Sequence, residues 1–284
     1  MKSYIIALMV AVAAVVCSSG EAEAAPKRLK GSGNIITKEL PAPTHYRSVH
    51  ASRGVKVQLV ADTGQPMKIE ADDNVMPHVI TEVEGGVLGI TIDEEVRTIS
   101  SIHVVVTVPT KGQLRGMRVV SAAQIESKVT ITGDEVGLDA SSAGKIEASV
   151  SANECEISLS SAAKIVCEVA AKECSIEASS AATCDATLAV QACEVDASSA
   201  AKIALKGAAQ KCEADLSSAS HLRAKNLAVQ HYDIEVSSAA DATILCLKHL
   251  KASASSGGDI RYAGNCLVSS KRSSGGSIQS LSRP

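Results

Sequence analysis

Four cysteines, Cys155, Cys174, Cys193 and Cys212, recur at intervals of 19 residues. Thiols can bind metals or pair as disulfides, so this spacing is the first place to look for chemistry. A straight ladder of thiols cannot supply the tetrahedral arrangement that zinc takes, and the chain has no CxxC or CxxCH motif. Disulfides are open to a protein in an oxidising compartment. Neighbouring parallel strands, however, hold Cβ atoms about 4.8 Å apart, beyond the usual disulfide span of about 3.5–4.5 Å. Free thiols packed as small hydrophobes are the expectation. Carboxylates follow the same spacing. Glu177, Asp196, Asp215 and Glu235 continue from Ser158, and Glu194, Glu213 and Asp233 stand beside them with Glu156 and Ser175. Carboxylate oxygens are calcium ligands, so weak association with Ca²⁺ is one reading. A solvated face that blocks sheet-on-sheet aggregation is the plainer one. Lys145, Lys164 and Lys202 form a corner column of their own, and His221, His231 and His249 read as solvated surface groups. No G-x-S-x-G, P-loop, HExxH, EF-hand loop or RTX nonapeptide occurs. No catalytic residue, cofactor-binding residue or metal centre is therefore expected.

These spacings belong to a repeat. From Ser141 the chain reads SSAGKIEASVSANECEISL, then SSAAKIVCEVAAKECSIEA, SSAATCDATLAVQACEVDA and SSAAKIALKGAAQKCEADL, each of 19 residues. Units of 20, 18 and 18 residues follow from Ser217, Ser237 and Ser255, and SSGGS begins at Ser273. Within a unit the apolar period is two. Ile146, Ala148 and Val150 alternate with Glu147 and Ser149, and Cys155, Ile157 and Leu159 with Glu156 and Ser158. That is the pattern of a half-buried strand, and a helix would need apolar residues at i, i+3 and i+4. Two strands per unit with a fixed corner give an all-β fold, a single-stranded parallel β-helix with coils of about 19 residues. Stacked at the strand spacing, the coils from Ser121 to Ser273 make a rod of roughly 38 Å. The Ser-Ser-Ala corner is expected to carry a third short strand, with Ala143, Ala162, Ala181, Ala200 and Ala219 pointing inward.

The composition agrees. Of 284 residues, 45% are apolar but 1% aromatic, with no Phe or Trp. A slender stack of coils holds a column of Ala, Ile or Cys and would be overpacked by Phe. With four Tyr as its only aromatic side chains, the chain offers no stacking platforms for sugars or single-stranded nucleic acid. A net charge of −3 gives no basic footprint, so no nucleic-acid partner is expected.

Met1-Lys2-Ser3-Tyr4 precedes an apolar run from Ile5 to Val16, which is the form of a secretory signal. Ala22-Glu23-Ala24 allows cleavage before Ala25, and Cys17 offers lipid attachment instead. The run falls short of the roughly 20 apolar residues of a membrane span, so no integral membrane protein is expected. The chain thus divides into a signal peptide (1–24), an N-terminal β domain that caps the first coil (25–119), and the parallel β-helix with a polar C-terminal tail (120–284). Residues 26–119 lack the clear repeat. They still alternate as strands over Val55–Val60 and Leu88–Ile92, and Ile102–Val108 reads as a buried strand ending at Pro109.

An ordered set of short motifs runs through the same residues. It comprises Gly31-Ser32-Gly33-Asn34-Ile35, Gly54-Val55-Lys56-Val57, Ile69-Glu70-Ala71-Asp72-Asp73-Asn74-Val75, Thr81-Glu82-Val83-Glu84-Gly85-Gly86-Val87-Leu88 and Val108-Pro109. With the SSA-type coils behind them, this order resembles the bacterial family "putative auto-transporter adhesin, head GIN domain" over about residues 31–270. The resemblance implies an exported β-helical protein of the bacterial cell envelope and brings no catalytic residues with it.

The functional expectation is a non-enzymatic, adhesin-like structural or binding rod. It would sit in the periplasm, on the outer-membrane surface or in the medium, and meet a polysaccharide or protein ligand. Homo-oligomers through a flat face are compatible with it. The alternative is a pectinase-like polysaccharide lyase or hydrolase. Glycosidases use one defined pair of carboxylates, whereas these carboxylates repeat on successive coils. Arg261 and Tyr262 are the one unusual pair near the last coils, and Tyr262 also fits the inward Ala148 column.

Overall fold

The computed structural model describes residues 27–281. Twenty of its strands join one sheet, wound into a parallel solenoid of about nine turns. One unit makes one coil. Lys145–Ser151 and Glu154–Leu159 are the two strands of a coil, and in the next coil Lys164–Ala178 runs both together. Ile146 lies opposite Ile165 and Ile157 opposite Ile176, so residues 19 apart in sequence are neighbours across parallel strands. The period of two sends Ile146, Ala148 and Val150 inside and leaves Glu147 on the surface. Ile, Val, Leu, Ala and Cys fill the interior throughout.

The corner departs from the expectation. No third strand forms. Ser142 and Ala143 are both left-handed (φ 49° and 62°), and the same pair of conformations recurs through Ser238 and Ala239. The N–H of Gly144 donates to the Ser141 carbonyl at 2.9 Å, closing a tight turn. The Ala143 N–H donates to the Ser161 carbonyl of the next coil at 3.0 Å. Two left-handed residues in a row shift the pleat by one position. Ala143, Ala162, Ala181, Ala200 and Ala219 are therefore exposed, and the following small residue, such as Ala163, Ala182 or Ala201, points inward. An L-residue in this region costs roughly 1–2 kcal/mol, and Gly257 and Gly275 already replace Ala there. Ala181→Gly is expected to stabilise by about 0.5 kcal/mol, after the larger backbone entropy that Gly loses on folding. A thermal melt of the variant with all five alanines replaced should show the sum as a raised Tm.

The N-terminal region is part of the same solenoid. A column of inward residues runs Leu88, Val49, Met117, Leu138, Ile157, Ile176, Val195, Ala214, Ile234, Ala252, each in register with the next. On the other strand row Val106, Val57, Ile125 and Ile146 do the same. A boundary at 119/120 thus interrupts neither column. Along the axis, however, chain order is lost. Strands Ser48–Ala51 and Lys56–Ala61 lie between the later strands Val87–Ile92 and Val104–Thr110 on one side and Gly116–Val119 and Gln124–Thr132 on the other. Antiparallel strands then cover the outer end. Met67–Asp72 pairs with Val104–Thr110 and Ile35–Leu40 with Met67–Asp72, while Val79–Glu84 pairs with Val87–Ile92. Covering a sheet edge in this way prevents it from templating aggregation.

The motifs at either end of this cap lock together. Asp72 is 2% exposed, and its carboxylate accepts the backbone N–H of Gly33 at 2.7 Å and of His103 at 2.6 Å. Ser32 Oγ and Asn34 Nδ2 donate to the two oxygens of Asp73 at 2.6 and 2.8 Å. These bonds hold the Asp73 carboxyl below its ordinary pKa. At the far end the last coil turns polar. Ser270 follows Ala252 and Arg272 follows Ala254, positions that are inward one coil earlier. Terminal repeats with polar faces keep a stacked fold soluble.

Candidate functional site

Adjacent rungs of a parallel sheet carry residues one repeat apart, so the solenoid turns the 19-residue spacing into straight rows of equivalent positions. Glu177, Asp196, Asp215 and Glu235 form one row in register, with Asp139 and Ser158 before them and Ser253 after. Glu194, Glu213 and Asp233 form the next row, between Ser175 and Lys251. The sequence-predicted carboxylates are therefore brought together. Beside the first row runs a groove of about 690 Å³, whose opposite wall is the first serine of each corner, from Ser141 to Ser255. A second groove of about 840 Å³ lies over the neighbouring row and is lined by Glu173, Glu194, Lys211, His231 and Lys251 among others.

Charge in the first groove is uncompensated at its centre. Burial pushes the Asp215 carboxyl up, and Glu235, Asp196, Glu213 and Asp233 push it further. The native state therefore binds the Asp215 proton more tightly than the unfolded chain does. Its contribution to stability is fully present below the unfolded pKa of about 4 and is lost as pH rises through the higher folded value. Glu126 behaves oppositely. Lys128 holds its pKa down, so its contribution is present above the unfolded value and lost as pH falls through the folded one. Asp215→Asn is expected to stabilise the chain at neutral pH by roughly 0.5 kcal/mol, the scale of a like-charge cross-strand pair. The gain should shrink as pH falls through the raised folded value and be gone below about 4. Melting curves of both proteins across that range check it.

Several further side chains join or border these rows. The acidic row begins with His50 and Arg118, and Lys271 follows Ser253, so cations bracket it at both ends. Arg118 Nε lies 3.7 Å from Asp139 Oδ2. Lys251 interrupts the second row and pairs with Asp233 at 2.8 Å. His231 and His249 come into register, their rings stacked with centroids 5.1 Å apart. His221 pairs with Asp241. Tyr262 follows Ile244 and packs half-buried on the core, and Arg261 Nε bonds Asp259 at 2.9 Å. Among the described residues all eight cysteines are free thiols, and no three His, Cys, Asp or Glu converge as a polydentate metal site. No helix among them is long and apolar enough to cross a membrane. The expected signal peptide, 1–24, with Cys17, lies outside the described residues.

The family model for "putative auto-transporter adhesin, head GIN domain" matches residues 45–186 and 156–266. The chain belongs to that family. Its description as an adhesin points to an exported or surface protein. Three solved structures share the fold of this head GIN domain chain. The "putative adhesin" of Parabacteroides merdae has a TM-score of 0.68 at 18% identity, covering 90% of this chain and 99% of that one. The "putative adhesin" of Parabacteroides distasonis gives 0.67 at 19% identity, covering 90% and 100%. A "putative lipid binding protein" of Parabacteroides distasonis gives 0.63 at 17%, again over 90% and 100%. No curated protein matches the chain.

Proposed function

We propose that the protein is an exported, non-enzymatic, adhesin-like rod that binds an extended polar ligand of the cell envelope along its acidic groove. One observation carries this reading: carboxylate and hydroxyl groups recur rung after rung along a single groove from Asp139 to Ser255. Such a row offers a repeating polymer many equivalent weak contacts, which add up when the ligand's repeat can follow the rungs. A catalytic site would instead single out one pair of carboxylates. The adhesin names of the family and of two structural neighbours support the same reading. One neighbour is named for lipid binding. The groove beside the acidic row is lined largely by charged and hydroxyl side chains, which suit a polar ligand better than an acyl chain.

Serine already occupies the acidic row at Ser158 and Ser253, so a triple variant Asp196→Ser, Asp215→Ser, Glu235→Ser should fold. Envelope polysaccharides and basic envelope proteins captured by the native chain are expected to bind this variant at least about tenfold more weakly, a loss of about 1.4 kcal/mol. Binding by the native chain should fall as salt rises. Equal binding by both proteins overturns the groove as the site. Heat-sensitive cleavage of pectin or another acidic polysaccharide overturns the non-enzymatic reading. The same row would collect Ca²⁺ weakly, and a Tm identical in Ca²⁺ and in chelator removes that part.

A further inference from the structure

The inward face of the same strands carries chemistry that the groove does not use. Cys155, Cys174, Cys193 and Cys212 stand on four successive rungs in register, all buried, and Tyr232 takes the fifth. The Tyr232 hydroxyl is buried with no hydrogen-bond partner within normal reach, and the group it faces is the Cys212 thiol. A buried hydroxyl left unpaired costs on the order of 1–3 kcal/mol. If this column served packing alone, Phe-like or aliphatic side chains would fill it without that cost, as Val136 and Leu250 do at its two ends.

Geometry decides which ligand fits. Equivalent side chains on neighbouring rungs lie one strand spacing apart, about 4.8 Å. That is too wide for a disulfide in the usual geometry and wrong for zinc, which takes four ligands. It is close to twice a metal–thiolate bond of about 2.3 Å. Two sulfurs on opposite sides of one ion at this separation describe linear, two-coordinate binding, the habit of soft d¹⁰ cations. Thiolates are the ligands that select Cu(I).

We propose that adjacent thiols of this column bind soft monovalent d¹⁰ cations, Cu(I) or Ag(I), as linear bis-thiolates, with Cys193 and Cys212 the principal pair. In each event two S–H bonds break, two metal–sulfur bonds form and two protons leave to solvent. No electrons are exchanged. The complex carries one negative charge, which is costly in an apolar interior unless it is hydrogen-bonded. The Tyr232 hydroxyl supplies that bond to the Cys212 sulfur, giving the orphan donor a partner.

The test uses the full chain, reduced and refolded without oxygen in the presence of Ag(I) or Cu(I), then passed over a column with a competing small thiol. The expected result is one retained ion at Cys193/Cys212, with sulfur-only two-fold coordination by X-ray absorption. The double variant Cys193→Val, Cys212→Val keeps the aliphatic packing seen elsewhere in the column and should lose that ion. Tyr232→Phe should hold it about tenfold more weakly, the scale of a lost outer-shell partner, with Cys246→Ala unchanged. Complete stripping by the competitor, equal retention by the double variant, or a Cys193–Cys212 disulfide in the exported protein each overturns the proposal.

Discussion

Asp72→Ala is expected to destabilise the chain by roughly 3 kcal/mol, because it leaves two backbone donors without their charged acceptor. The carboxylate is 2% exposed and joins three segments distant in sequence: its own strand end, the Gly31–Asn34 turn and the backbone at His103. The Gly31 backbone passes so close that an added Cβ would lie 2.4 Å from the Ser101 carbonyl oxygen and 2.5 Å from Asp72 Oδ2. Urea unfolding should show a lowered midpoint with an unchanged slope. Hydrogen exchange should accelerate at the amides of Gly33 and His103 before it does in the central coils. Asp72→Asn keeps one acceptor oxygen but turns an N–H₂ donor toward another donor, so it should recover only part of the loss. A midpoint equal to that of the native chain would show that the cap does not depend on this latch.

Gly207→Ala is the second large effect, about 3 kcal/mol or more. Gly207 lies within the strand Lys202–Leu216 at φ +105° and opposite Leu188. A Cβ there would stand 2.0 Å from the Leu188 carbonyl oxygen and 3.0 Å from its carbonyl carbon. Both are backbone atoms of the preceding coil, so the clash is relieved only by parting two hydrogen-bonded strands. Gly86→Ala is the control. Gly86 is also left-handed, at φ +80°, but a Cβ there meets nothing within 4 Å. It should cost only the conformational penalty of roughly 1 kcal/mol. Comparable melting temperatures for the two variants would contradict the close approach of strands at Gly207.

The coils from Ser141 onward were legible because each residue spacing of 19 becomes a contact: the repeat in the sequence is the register in the structure. The cysteine column and both acidic rows follow from that alone. The longer unit from Ser217 was legible in length but not in place. Its extra residue is absorbed where Ala204 pairs with Arg223 and Lys206 with Asn226, a bulge that alternation does not locate. The corner alanines were misplaced because alternation presumes a continuous pleat, and the left-handed pair at Ser142 and Ala143 breaks it. Residues 48–119 were legible as strands but not as coils. A repeat shows itself when neighbours in space are one unit apart in sequence, and Val49 instead lies between Leu88 and Met117. His50 and Arg118 escaped notice as part of the acidic row for the same reason, since no periodic copy points to them.

That interleaving also sets the direction in which the molecule can be assembled. The strand Ser48–Ala51 acquires both neighbours only when Val87–Ile92 and Gly116–Val119 have been delivered. A chain crossing a membrane from its N-terminus must therefore hold its first hundred or so residues uncommitted until a three-layer seed closes. Every later coil needs only the one before it, and docks as it emerges onto a finished edge. Growth runs one way, with the loop-closure cost concentrated at the start. The seed is therefore the expected slow step, since each later coil needs only the finished edge before it.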